Sequence, residues 1–153
     1  MAVSVKPITL WRRSLEDRPG TLADSLSPLA EVRGNVSVVM AYRIPGEPGR
    51  GVVEVFPVAG KRATAAAQAA GFSSSSIPAL LVVGDDAPGL GHKQARAIAD
   101  AGINLDFLIA QVVGRKFSAV YGFASEEGAR RAVPLIKKAS APARRTAARS
   151  KKR

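Results

Sequence analysis

No cysteine occurs anywhere in the 153 residues, which removes disulfides, zinc–thiolate centres and thiol nucleophiles from consideration. Histidine is nearly as scarce. His92 is the only one, and a single imidazole makes no metal site; it fits an exposed position in the first turn of a helix better than a ligand contact. No apolar stretch approaches the ~18 residues that a membrane-spanning helix requires. The opening Met1-Ala2-Val3-Ser4-Val5-Lys6 lacks the apolar centre of a secretory signal, so a cytoplasmic location without a membrane partner is expected. Walker-type phosphate loops are absent, as is any Ser/His/Asp arrangement. Asp85-Asp86 and Glu126-Glu127 suit turn and helix-start positions better than a paired-carboxylate site. Neither a catalytic set nor a cofactor is expected.

Acidic residues are also missing beyond Glu127, whereas eight of the 23 basic residues lie after Ile136. Up to Ile136 the balance is close to even, 15 basic side chains against 12 acidic ones. The net charge of +11 therefore belongs to the C-terminal end rather than to a folded body. Residues 139–153, rich in Ala, Pro, Arg and Lys, have too little apolar surface to fold on a core and read as a disordered basic tail. Such a tail either contacts nucleic acid weakly, without sequence preference and with steep salt dependence, or is simply solvated.

What is present in quantity is repetition. Asp17-Arg18-Pro19-Gly20 returns 69 positions later as Asp86-Ala87-Pro88-Gly89, and the same offset pairs Ala30 with Ala99, Asn35 with Asn104 and Ala41 with Ala110. Residues 5–13 alternate like a strand, and Leu22, Leu26 and Leu29 repeat like one face of a helix opened by Pro19-Gly20-Thr21. Val36 to Arg43 and Val52 to Val58 read as strands around the loop Pro45-Gly46-Glu47-Pro48-Gly49, followed by a helix over Lys61 to Ala70. The second copy repeats the order: a strand over Ala79 to Val83, then helix 88–101, strand 103–113, a turn at Gly114-Arg115, strand 116–124 and helix 125–138. Its final strand is missing. Pro28 and Pro134 fall inside predicted helices and should kink or shorten them. The order β-α-β-β-α-β predicts an α+β fold with antiparallel sheets and helices on one face, the ferredoxin-like arrangement.

The duplicated turn has chemistry of its own. Proline sets the helix entry and glycine lets the backbone approach a ligand. The first helical amides lack partners and point outward with the positive helix end behind them, a setting for a carboxylate. Asn35 and Asn104, with Asp17 and Asp86, offer acceptors for an ammonium group. The same punctuation also serves as plain helix entry, and both readings fit the residues. Lys116 to Phe123 has the alternation of an RNA-binding strand, but the glycine and one stacking ring of that motif are missing. Packing is the better use of Phe117, Tyr121 and Phe123.

An extended strand, Asp-x-Pro-Gly, an amphipathic helix and then Ala101-Gly102-Ile103-Asn104-Leu105 resembles the ACT domain, a small-molecule sensing module of amino-acid metabolism. The resemblance covers residues 5–138 as two modules, 1–77 and 78–138, in the manner of tandem ACT-only proteins. It implies βαββαβ modules with sheets side by side and an amino acid held at a module interface. Carried over by motif, the ligand-binding positions are Asp17, Gly20, Thr21, Leu22 and Asn35 in the first copy. In the second they are Asp86, Gly89, Leu90, Gly91 and Asn104. The first copy departs from the pattern, with Arg33-Gly34-Asn35-Val36 where the family prefers Gly-Ile-Asn-Ile. The implied protein is a non-enzymatic, homodimeric, allosteric amino-acid-binding regulator. A nucleic-acid-associated protein using the basic tail is the alternative, and a docking subunit without ligand a third reading.

Overall fold

The computed structural model describes residues 3–142, so the expectations placed on residues 143–153 lie outside the described residues. Strand β1 spans Ser4–Ile8, β2 Trp11–Glu16, α1 Thr21–Glu31, β3 Val38–Arg43, β4 Arg50–Phe56 and α2 Lys61–Ala69. The chain continues with β5 Ser73–Ser74, β6 Ala79–Asp85, α3 Leu90–Asp100, β7 Leu105–Val113, β8 Lys116–Phe123 and α4 Glu126–Ala139. Two four-stranded sheets result, ordered β3-β4-β2-β5 and β1-β6-β8-β7, antiparallel throughout. The α+β class expected from the pattern is what is observed.

Residues 5–13 are not one strand. The chain breaks at Thr9-Leu10: β1 pairs with β6 over Ser4↔Val83 to Ile8↔Ala79, whereas β2 pairs with β4 and β5. The returning segment crosses alongside, with the Ser75 amide donating to the Leu10 carbonyl at 2.7 Å. One antiparallel ribbon, β1–β2 against β5–β6, thus bends from one sheet into the other. The strand missing from the second copy's sequence is supplied by the N-terminal segment, which covers the β6 edge that would otherwise be open.

Each sheet carries its helices on one face. Leu29 of α1 and Ala67 of α2 pack on Val53 and Val55 of β4, and Ile98, Ala132 and Ile136 of α3 and α4 pack on Val82, Tyr121 and Phe123. The sheets are not side by side, however. Their helix-free faces meet through Ile8, Leu10, Met40, Ala79 and Val120, because alternate residues on these strands are apolar on both faces. The layers therefore run helices, sheet, sheet, helices. Glu54 is fully buried on the inner face, where its Oε2 accepts a 2.9 Å hydrogen bond from the Tyr42 hydroxyl. Its Oε1 has no partner among the described residues.

Neither proline ends its helix: α1 runs through Pro28 and α4 through Pro134. Each removes one hydrogen bond, and packing of the buried Leu29 and Ile136 beyond holds the next turn in place. Helix α4 also continues past the expected boundary, and Ser140 still belongs to the folded body because its hydroxyl donates to the Ile136 carbonyl at 2.6 Å. The end of α1 shows the departure noted in the first copy. Arg33 takes a left-handed φ of 55° where Gly102 takes 70° at the end of α3.

Candidate functional site

The two strand-to-helix turns are built alike. Gly20 and Gly89 precede α1 and α3 with φ of 93° and 80°, a backbone state that side-chain-bearing residues seldom take. Each turn is pinned to its sheet's hairpin: the Asp17 amide donates to the Gly49 carbonyl at 3.0 Å, and the Asp86 amide to the Arg115 carbonyl at 2.8 Å. No side chain caps either helix. The amides of Leu22 and Ala23 in α1, and of Gly91 and His92 in α3, have no acceptor among the described residues. These are the orphan donors of a helix start, backed by roughly half a positive charge.

Beside the start of α3 lies a cavity of about 240 Å³ with Gly91 in its lining. Asp86, Leu90, Gly91 and Gln94 supply one side, and Leu108, Ala110, Gln111 and Val112 of β7 the other. Phe117, Ala119 and Tyr121 of β8 close the floor. A Cβ built on Gly91 would meet nothing within 4 Å, so the bare backbone leaves the mouth open. Gln94 is 2% exposed and held at both ends of its amide: its Oε1 accepts from the Tyr121 hydroxyl at 2.5 Å, and its Nε2 donates to Ser140 Oγ at 2.9 Å. Burial pushes the Tyr121 phenol up to about 12, so it stays neutral across the physiological range.

The head of α1 has a different character. Its cavity, about 350 Å³, is lined by Arg13, Glu16, Arg18, Thr21, Asp24 and Arg50 among others. Arg13 Nη1 donates to Ser25 Oγ at 3.2 Å, Ser25 donates to the Thr21 carbonyl at 2.7 Å, and the Thr21 hydroxyl lies 2.9 Å from the carbonyls of both Glu16 and Arg18. Polar groups there are tied to one another and to the loop.

Of the sequence-derived candidates, Asp86, Leu90 and Gly91 line the second cavity and Thr21 lines the first. Gly20 and Gly89 shape the turns without lining either cavity. Asp17 is ion-paired with Arg43 at 2.7 Å, and Leu22 is 39% exposed. Asn35 and Asn104 are exposed and line neither cavity. Asp85 is paired with Lys116 across the strands, and this hydrogen bond lowers its carboxyl from the usual value. His92 is exposed. Phe117, Tyr121 and Phe123 are buried beneath α3 and α4, so the surface that an RNA-binding sheet would offer is covered.

Gln94, Tyr121 and the β7 wall escaped the sequence reading. One signal was available: Leu90, Gln94 and Ile98 lie on one helix face at intervals of four, and an amide among buried apolar positions asks for a partner. Among the described residues no three His, Asp or Glu side chains are grouped to hold a metal, and no helix is long and apolar enough to cross a membrane.

No protein-family model matches the sequence, and no curated protein matches it. Solved structures do share its fold. A Bacteroides thetaiotaomicron protein is similar with a TM-score of 0.71 at 13% identity, over 88% of this chain and 89% of that one. The ligand-free regulatory subunit of aspartate kinase from Thermus thermophilus gives 0.62 at 19% identity, over 92% and 98%. The corresponding regulatory subunit from Thermus flavus gives 0.55 at 20%, over 91% and 97%.

Proposed function

We propose that this chain is a non-enzymatic, ACT-type regulatory protein that binds an α-amino acid at the head of α3. It comprises two ferredoxin-like modules, the second completed by β1. The observation that carries this reading is the cavity with Gly91 in its wall and the unpartnered amides of Gly91 and His92 beside it. These donors suit a carboxylate, and the Asp86 side chain in the same lining suits an ammonium group. The shared fold with aspartate kinase regulatory subunits supports a regulatory role without a catalytic one.

A homodimer is the proposed assembly. Strand β7 is a sheet edge on which Leu108, Ile109, Val112 and Val113 are 41%, 45%, 53% and 70% exposed, and such an edge favours pairing with a second copy. Ligand bound against β7 would then favour one arrangement of the copies over another, which is the physical content of allostery here.

The test is a melting-temperature screen of the whole chain against the twenty amino acids at millimolar concentration. A ligand present at a hundredfold excess over its Kd stabilises by about 2.7 kcal/mol, a rise of roughly 5–10 °C for a protein of this size. A screen in which no amino acid raises the melting temperature overturns the reading.

A further inference from the structure

We infer that the cavity at the head of α3 selects an amino acid with an apolar side chain of valine to methionine size; this rests on the amino-acid reading above and names its ligand class. The wall decides the class. Leu90, Leu108, Ala110, Val112 and Phe117 present hydrocarbon to the cavity, and no lysine or arginine lines it. An acidic side chain entering there would lose its hydration and meet no counter-charge.

The polar groups at the bottom do not change this. The Tyr121 hydroxyl donates its hydrogen to Gln94 Oε1, and Gln94 Nε2 donates one of its two to Ser140. Neither group carries a charge, so a charged side chain on the ligand would find no compensation among the buried groups. Asp86, the one carboxylate in the lining, is needed for the α-ammonium and sits on the turn rather than on β7 or β8.

Size points the same way. The cavity of about 240 Å³, open to solvent on one side, has room for a branched aliphatic side chain. Leu108 and Val112 stand 41% and 53% exposed on this wall, so an apolar side chain would remove from water surface that the protein alone leaves wet. The cavity at α1 makes the contrast within one chain: Arg13, Arg18 and Arg50 contribute to its lining, and an aliphatic ligand gains nothing there.

The experiment is calorimetric titration of the full-length protein with L-valine, L-leucine, L-isoleucine and L-methionine, and with L-aspartate, L-lysine and L-threonine. It is repeated on Ala110→Phe, which fills the cavity from an exposed strand position, and on Val112→Arg, which puts a cation on its wall. Arg50→Ala in the other cavity is the control, and sedimentation checks that all variants keep the parental assembly state.

The expected result is binding of an aliphatic amino acid, preferred over the charged and hydroxylated ones by at least ~10–100-fold. Ala110→Phe should abolish it, Val112→Arg should weaken it at least ~10-fold, and Arg50→Ala should leave it unchanged. Binding confined to aspartate, lysine or threonine and lost in Ala110→Phe keeps the site and overturns the class. Leucine binding that survives Ala110→Phe overturns the location. Failure of all seven ligands to bind, with a positive melting screen for some other amino acid, overturns the class alone.

Discussion

The halves of this molecule share an element order and a 69-residue offset, yet they have spent their inner volume differently. Thr21, Ser25 and Arg13 in the first half stand at the repeat positions of Leu90, Gln94 and Val82 in the second. In the first half a guanidinium lies under α1 and ties the helix to the sheet through Ser25, and the neighbouring cavity is charged. In the second, the same positions are apolar or hydrogen-bonded to neighbouring side chains, and the neighbouring cavity is lined mainly by apolar residues. By cross-strand partner, Tyr121 opposite Leu80 stands where Val55 stands opposite Trp11. The turn and the backbone donors are common to both halves. A few differing side chains set the chemistry around them.

The most severe way to break this comparison is to remove β1. Deleting residues 3–8 takes the outer strand from the second sheet and should cost more than about 4 kcal/mol, with amide protection lost in β6 and kept in β4. Protection lost equally from both sheets would mean that the ribbon is one cooperative unit. A milder break is Tyr121→Phe, which leaves Gln94 Oε1 buried without its donor. It should cost about 1–3 kcal/mol by denaturant unfolding, and the same edit at Tyr42, which takes from the fully buried Glu54 its side-chain donor, should cost no less.

Smaller still is the contrast at the helix ends. Arg33→Gly relieves a left-handed residue at the end of α1 and should stabilise by about 1 kcal/mol, whereas Gly102→Ala at the end of α3 should destabilise by a similar amount. The two tyrosines sharpen the comparison without any mutation. Tyr42 is raised to about 12 by burial first and then by the charge and hydrogen bond of Glu54, and Tyr121 to about 12 by burial alone. A folded-state value above the ordinary 10 means stability fully present below pH 10 and lost as pH rises through 12. Tyrosinate absorbance should accordingly appear late and together with unfolding. A phenol that titrates near 10 in the folded protein would contradict the burial described for it.

Much of this architecture could be read in the residues, for reasons that particular segments make plain. Phe117, Ala119, Tyr121 and Phe123 alternate so strictly that one face had to be buried, and the Asp-x-Pro-Gly turns announce both helix starts. The break at Thr9-Leu10 was not legible, because alternation continues across it and the choice of partner strand is made by distant residues. The missing last strand of the second copy was the available hint, and it pointed to an open edge without naming what fills it. For the site, the backbone donors followed from the turn, as did Asp86, Leu90 and Gly91. Asn35 and Asn104 did not enter the cavities: both lie exposed in the connections ahead of β3 and β7, where nearness in sequence to the turn does not bring the side chain to it. The β7 wall was invisible for a similar reason: strand register decides which of Leu108 to Val112 face α3.

The central claim is that ligand meets the backbone of α3 rather than that of α1. Amide chemical shifts of the ¹⁵N-labelled full-length protein, followed through a titration with L-leucine, test it directly. The account predicts saturable shifts at Gly91 and His92, with Leu22 and Ala23 unmoved. Movement at Leu22 and Ala23 while Gly91 and His92 stay still would contradict it.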